Sequence, residues 1–257
     1  MSSPAQNDFN YAILEATAHR PWPMPTGAWV MTQTWHNLLF AHWRVPGDDL
    51  RRRIPPGFEL DEFDGQAWVG VVPFQMTNVA PRGVPALPWL SAFPELNVRT
   101  YVRVGGVPGV YFFSLDAANP LAVGVARAVV HLPYYSARMT VDELYGWIQY
   151  ESRRTSRSAP PAAFSGRYHP TGDATPPADG TLEYFLTERY CLFTLNSAGR
   201  ASRLDIHHPP WPLQAAEAVI ATNTMALASG IQLPDEPPLL HFSKRQDMVA
   251  WMPEAVG

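Results

Sequence analysis

Asn97, Arg99, Tyr101 and Arg103 recur at every second position in Leu96-Asn-Val-Arg-Thr-Tyr-Val-Arg-Val104, which puts them on one face of a strand. Such a row can hold an anion. Arginine offers a planar fork of donors that matches a carboxylate or phosphate, so Arg99 is the candidate substrate-binding residue, with Tyr101 beside it. If that face points outward, the row is ordinary polar surface. His207-His208 raises the question of a metal, but adjacent strand residues diverge and no His/Cys/Asp cluster completes a tetrahedral set. No metal is expected; His208, before Pro-Pro-Trp-Pro, reads as the anchor of a rigid turn. Cys191 lies in an apolar strand pattern and reads as an inert core thiol. Arg127 with Asp116, and Glu188 with Arg189, read as structural ion pairs. Only one of the 19 basic residues is a lysine, Lys244, so any reaction needing a lysine amine has a single candidate. The chain carries no P-loop, GxGxxG, GxSxG or HExxH pattern.

The elements that must position these groups read mainly as strands. Thr34–Val45, Gln66–Phe74, Leu96–Val104, Val110–Asp116, 144–155, 161–169, 189–208 (a hairpin) and 239–252 all qualify. Asp64-Gly65 is a hairpin turn and Gly105-Gly106 another. Short helices are expected at Leu50–Gly57, from Asn119 through Arg127, and over Thr181–Glu188, with 214–230 mixing strand and helix. His131–Tyr135 reads as extended and Pro170–Gly180 as a loop. Residues 1–27, punctuated by proline, form an N-terminal arm, and 28–257 make a single domain. The fold class is α+β, mainly antiparallel β.

Composition bounds the partners. A net charge of −4 gives no basic footprint for nucleic acid, and no apolar run approaches a membrane span. One cysteine and a start without signal-peptide features fit a cytoplasmic protein.

Pro94–Met139, PELNVRTYVRVGGVPGVYFFSLDAANPLAVGVARAVVHLPYYSARM, resembles acetoacetate decarboxylase: a Glu-headed strand, a glycine turn, an Asp-bearing strand, a small-residue helix and a proline. Trp35–Trp43, Asp64-Gly with Ala67–Phe74, Glu188-Arg-Tyr190 and His208–Gln214 are more closely similar to the YqjF-like family of uncharacterised conserved proteins, which share that fold. Together they cover nearly the whole chain beyond residue 28.

The resemblance implies an acetoacetate decarboxylase-like closed β-barrel with a few short helices, one small-molecule pocket and no cofactor. Homo-oligomeric assembly is compatible with it. It also implies a loss. The decarboxylase forms a Schiff base through one of two adjacent lysines, and their positions here are Tyr134 and Tyr135, starting 39 residues after Glu95. A phenol cannot form an imine. The family's partner arginine falls on His36, so Glu95 alone persists from the polar set. Glu95 and Tyr134 are then the catalytic candidates, and His36, Arg99 and Tyr101 the substrate-binding ones. Side chains of neighbouring extended residues diverge, so at most one of the two tyrosines faces the pocket. Two functions follow: a lyase or isomerase acting on a small oxo acid or carbonyl compound, or a non-catalytic binding protein that kept the pocket and lost the amine.

Overall fold

The computed structural model describes residues 8–86, 91–120, 123–124 and 130–256. The strands are β1 (Met31–Val45), β2 (Glu59–Leu60), β3 (Ala67–Pro81), β4 (Phe93–Val104), β5 (Val107–Ala117), β6 (Tyr134–Leu144), β7 (Trp147–Arg154), β8 (Ala163–Thr175), β9 (Cys191–Leu195), β10 (Ala201–His207), β11 (Leu213–Asn223), β12 (Leu239–Ala250) and β13 (Glu254–Ala255). Among the described residues the short helices α1 (Gly47–Arg51) and α2 (Leu182–Thr187) interrupt them. Thr181 caps α2 by accepting from the Tyr184 N–H.

All strands belong to one sheet, and its pairings close on themselves twice. One ring runs β5-β6-β7-β8-β11-β12-β1-β3-β4 and returns to β5. A second runs β9-β10-β12-β1-β3-β4-β5 and returns to β9. The strands common to both, β12-β1-β3-β4-β5, form a wall with an interior on each side. That is why β3 and β4 are buried on both faces and read as nearly continuous apolar runs. Leu39, Ala41, Val69, Val71, Leu96 and Val98 face the first interior, where Tyr150, Phe164 and Phe242 fill the core. Leu38, Phe40, Val72 and Phe74 face the second, with Ala117, Trp211 and Tyr134.

Turn chemistry sets the registers. Asp64 and Gly65 both have positive φ (49° and 71°), as do Tyr145 and Gly146 (53° and 79°), the pattern that matches hairpin twist. In β1 an extra residue sits between His36 and Ala41 relative to β3, with Asn37 at φ 51°. This bulge breaks the alternation, so Trp35 joins Leu38 and Phe40 in one cluster.

Several expectations need correction. Pro170–Gly180 is not all loop: β8 continues to Thr175 because Thr171 and Thr175 pair with Ala215 and Leu213. Pairing there overrides turn-like composition. β6 extends through Leu144, well past the short extended segment expected, and its half-exposed pattern gave little signal. His131, expected to be extended, adopts φ 55°. Val123 and Gly124 are helical, while most of the helix expected through Arg127, and Arg127 itself, lies outside the described residues. Asp116 is held by Arg154 at 2.8 and 2.6 Å. Glu188 does not pair with Arg189: it accepts from the Tyr190 hydroxyl and, at 2.7 Å, from the Trp211 N–H, while Arg189 binds Asp61 at 2.6 Å.

Candidate functional site

β4 carries Glu95, Asn97, Arg99 and Tyr101 at alternate positions, with Leu96 and Val98 turned to the first core. This row therefore faces the second interior and is not surface. Arg103, at the end of the same row, emerges to solvent and binds Asp61 at 2.7 Å.

Glu95 is 3% exposed. Tyr134, at the head of β6, donates its hydroxyl to the Glu95 carboxyl, and the Asn97 amide donates to it as well. Oε2 of Glu95 is buried and has no protein partner. Loss of solvation is the main effect on this group and raises its pKa from 4.5 to about 8, with the Asp116 charge adding and the two donors opposing. Burial and the neighbouring carboxyl push the Tyr134 phenol well above its usual range. At neutral pH the dominant species is a protonated carboxyl. Tyr134 and Asn97 hydrogen-bond this carboxyl while its Oε2 stays without a protein partner.

Further along the wall, Gly70 of β3 lies between His42 of β1 and Arg99 of β4 in direct register with both. A Cβ on Gly70 would meet His42 Nε2 at 2.9 Å and Arg99 Cγ at 3.4 Å, so only glycine lets both side chains lean over this point. His42 Nε2 lies 2.7 Å from the Tyr101 hydroxyl, which itself reaches the Leu186 carbonyl of α2 at 2.7 Å. Arg99 Nη2 donates to Leu186 O at 2.9 Å and to Tyr101 Oη at 3.3 Å. His241 of β12 is paired with Phe40, and its charge acts on His42. Burial, then Arg99, holds His42 well below its ordinary pKa, and burial likewise lowers His241. His42 Nδ1, Asn97 Oδ1, Arg99 Nε, His241 Nδ1 and Ser243 Oγ are buried without protein partners.

A cleft of about 380 Å³ lies beside Tyr134. It opens where β5 forks, pairing in parallel with β9 at Val110–Tyr111 and with β6 at Leu115–Ala117. Phe112 and Tyr134 line it. Phe112 is the cross-strand partner of Arg99, and Tyr134 bonds Glu95, so two of its lining residues are neighbours of the row, although no residue of the row itself lines the cleft.

The structure thus brings Glu95, Tyr134, Arg99 and Tyr101 to one side of the wall. Tyr135 does not reach Glu95 and carries the Arg154 guanidinium 4.2 Å over its ring, yet it also lines the cleft, so both tyrosines border it and the expectation that at most one would is not met. His36 is not part of this set. It bonds Thr77 Oγ1 at 2.8 Å, among the charges of Arg245, Asp8 and Asp247, and its pKa is lowered by burial and by Arg245. The bulge at Asn37 is the reason: it places one additional residue of β1 between His36 and the inward Leu38. Sequence reasoning missed His42 and His241. Plain alternation through Leu38 and Phe40 to His42 was available as a signal for His42, whereas only the bulge reveals that His36 leaves that face. Among the described residues no three His, Cys, Asp or Glu side chains gather as a metal site. His207 and His208 instead bond the Ile13 carbonyl at 2.7 Å and the Pro209 carbonyl at 2.7 Å. Burial pushes the Cys191 thiol up to about 12. Lys244 has a side chain 64% exposed, 3.6 Å from Glu143. No helix among the described residues is long and apolar enough to cross a membrane.

Residues 32–247 match the DUF2071 family, described as uncharacterised conserved protein. The chain belongs to that family. Protein YqjF of Bacillus subtilis (strain 168), itself described as uncharacterised, is 46% identical over 228 residues, covering 89% of this chain and 93% of its own. Among solved structures, an acetoacetate decarboxylase superimposes with a TM-score of 0.62 at 14% identity, covering 96% of this chain and 98% of that one. The enduracididine biosynthesis enzyme MppR, complexed with pyruvate, gives 0.60 at 10% identity with 94% of each chain covered. At such identities the likeness establishes the acetoacetate decarboxylase-like fold for this family member, and the fold alone.

Proposed function

We propose that the chain binds a small carbonyl compound beside Glu95 and catalyses proton transfer on it, as an isomerase or lyase that uses no Schiff base. One observation carries this reading: a buried carboxyl with a pKa near 8, held by Tyr134 and Asn97 and with Oε2 unpartnered. A group of that pKa exchanges protons readily near neutrality. In its ionised form Glu95 takes the proton from the carbon next to the carbonyl. The C–H electron pair moves to form the enolate, and the Tyr134 hydroxyl, released from the carboxylate, donates to the developing oxyanion. Return of the proton from Glu95 to carbon closes the cycle. A covalent imine has no support here, because the one lysine is on the surface. The pyruvate complex of MppR, a protein of the same fold, favours an oxo acid as the compound.

The test is deuterium exchange of the α-protons of pyruvate, 2-oxobutanoate and 2-pentanone in D2O, followed by proton NMR. Exchange should rise with pH up to about 8 as Glu95 ionises, and fall about 10²-fold or more in Glu95→Gln. Exchange that survives the substitution refutes the role of Glu95. Saturable binding with no exchange supports the second reading, a non-catalytic binding protein, which the lack of any interior amine also favours.

A further inference from the structure

The cleft beside Tyr134 is walled by rings. Among the described residues Tyr111, Phe112, Tyr134, Tyr135 and Phe193 line it, with exposed His131 at the rim. A forked strand brings them together. β5 carries one extra residue, Phe113, opposite the Val98–Arg99 step of β4. Its parallel partners lie on either side of that bulge, β9 up to Tyr111 and β6 from Leu115 onward. The cleft therefore lies at strand edges, which is why successive residues such as Tyr134 and Tyr135 both border it. Tyr111 and Phe193 rest edge-on against Phe58, 5.9 and 6.1 Å away. Among the described residues no two of the five lining rings stack on each other, so the space between them is open to a guest.

The lining decides what fits. None of the described lining residues is Lys, Arg, Asp or Glu, so the wall selects no charged group. The Thr194 hydroxyl is committed to the His131 carbonyl at 3.0 Å, and the Tyr134 hydroxyl to Glu95. The Tyr111 and Tyr135 phenols and the His131 ring remain, too few to match the hydroxyls of a buried sugar. The volume, about 380 Å³, equals about a dozen waters at ~30 Å³ each and suits a ligand of about a dozen non-hydrogen atoms. A long acyl chain exceeds that, and 2-pentanone fills about half of it.

We infer that the cleft binds an aromatic ring, so that the substrate class is aryl-substituted carbonyl compounds, with the ring among Tyr111, Phe112, Tyr135 and Phe193 and the carbonyl oxygen at the Tyr134 hydroxyl. The ring site stands on the cleft alone, and only the reaction of the bound compound rests on the Glu95 reading. An aromatic guest gains edge and offset contacts with the wall beyond the area it buries. Burial by itself would favour a saturated ring, which is the more apolar of the two.

The experiment is calorimetric titration of wild type, Leu195→Trp and Glu95→Gln with 4-phenylbutan-2-one, its saturated counterpart 4-cyclohexylbutan-2-one and 2-pentanone. Leu195 is a half-buried lining residue at the end of β9, so the larger indole intrudes on the cleft, and circular dichroism reports whether each variant is folded. The phenyl ketone should bind wild type about tenfold tighter than 2-pentanone. It should also bind about threefold tighter than the cyclohexyl ketone. Leu195→Trp should lose both preferences and Glu95→Gln keep them. A cyclohexyl ketone that binds as tightly as the phenyl one, no gain over 2-pentanone, or undiminished affinity in folded Leu195→Trp refutes the ring site. If Leu195→Trp does not fold, NMR of wild type with ring-labelled tyrosine decides. The phenyl ketone should shift the signals of Tyr111, Tyr134 and Tyr135, and unmoved signals refute the site. The two proposals fail separately. Ring-selective binding with α-proton exchange unaffected by Glu95→Gln removes the Glu95 role alone, whereas Glu95-dependent exchange with no preference for the phenyl ketone removes the ring site alone.

Discussion

Replacing Glu95 by glutamine should stabilise the protein, increasingly so as pH rises. The carboxyl keeps its proton in the folded state up to about pH 8, whereas its ordinary pKa is 4.5. Between those values the folded state binds more protons than the unfolded one, so each pH unit costs wild type up to about 1.4 kcal/mol of stability. The cost is absent below pH 4.5, about 3 kcal/mol at pH 7, and levels off near 5 kcal/mol above the folded pKa. Glutamine cannot ionise and its carbonyl still accepts from Tyr134, so the variant avoids this cost. At pH 7 the unfolding midpoint should rise by roughly 6–12 °C, at 2–4 °C per kcal/mol for a chain of this size. Paired thermal and urea melts of wild type and Glu95→Gln at pH 5, 6, 7 and 8 measure it. A difference that stays flat across this range would mean that Glu95 ionises in the ordinary carboxylate range, and the argument for a proton-transfer group would fall.

Asp116→Asn removes one partner of the buried Asp116–Arg154 pair and leaves the guanidinium uncompensated under Tyr135, so a loss of about 3–5 kcal/mol is expected. A urea midpoint unchanged from wild type would contradict it. Borohydride added with an oxo acid should leave the intact mass of the chain unchanged, since the Lys244 amine is exposed on the surface; a saturable adduct on Lys244 would restore imine chemistry to consideration.

The sequence by itself determined a great deal of the fold. Alternation in β4, the Asp64-Gly65 turn and the Thr181 cap are local patterns, and local patterns survive into structure when a neighbouring strand agrees with them. The pairing of Glu95 with a tyrosine 39 residues on was legible only through the family resemblance, because nothing local links β4 to β6. The extension of β8 was hidden for the opposite reason: its proline and glycine signal a loop, and β11 holds them in a ladder anyway.

What tertiary structure alone decided is which side of the wall each side chain occupies. Alternation gives two faces without saying which is inside, and here both are, since the two rings share β12-β1-β3-β4-β5. The single extra residue at Asn37 then puts His36 on the opposite face from His42, so His36 leaves the candidate site while His42 stays in it. A one-residue change of phase exchanges the faces of a strand, and a bulge is set by pairing with β3 and not by the composition of β1. The chemistry of Glu95 follows from the same cause: its residue type is written in the sequence, but its raised pKa comes from burial between two cores that only the closed sheet creates.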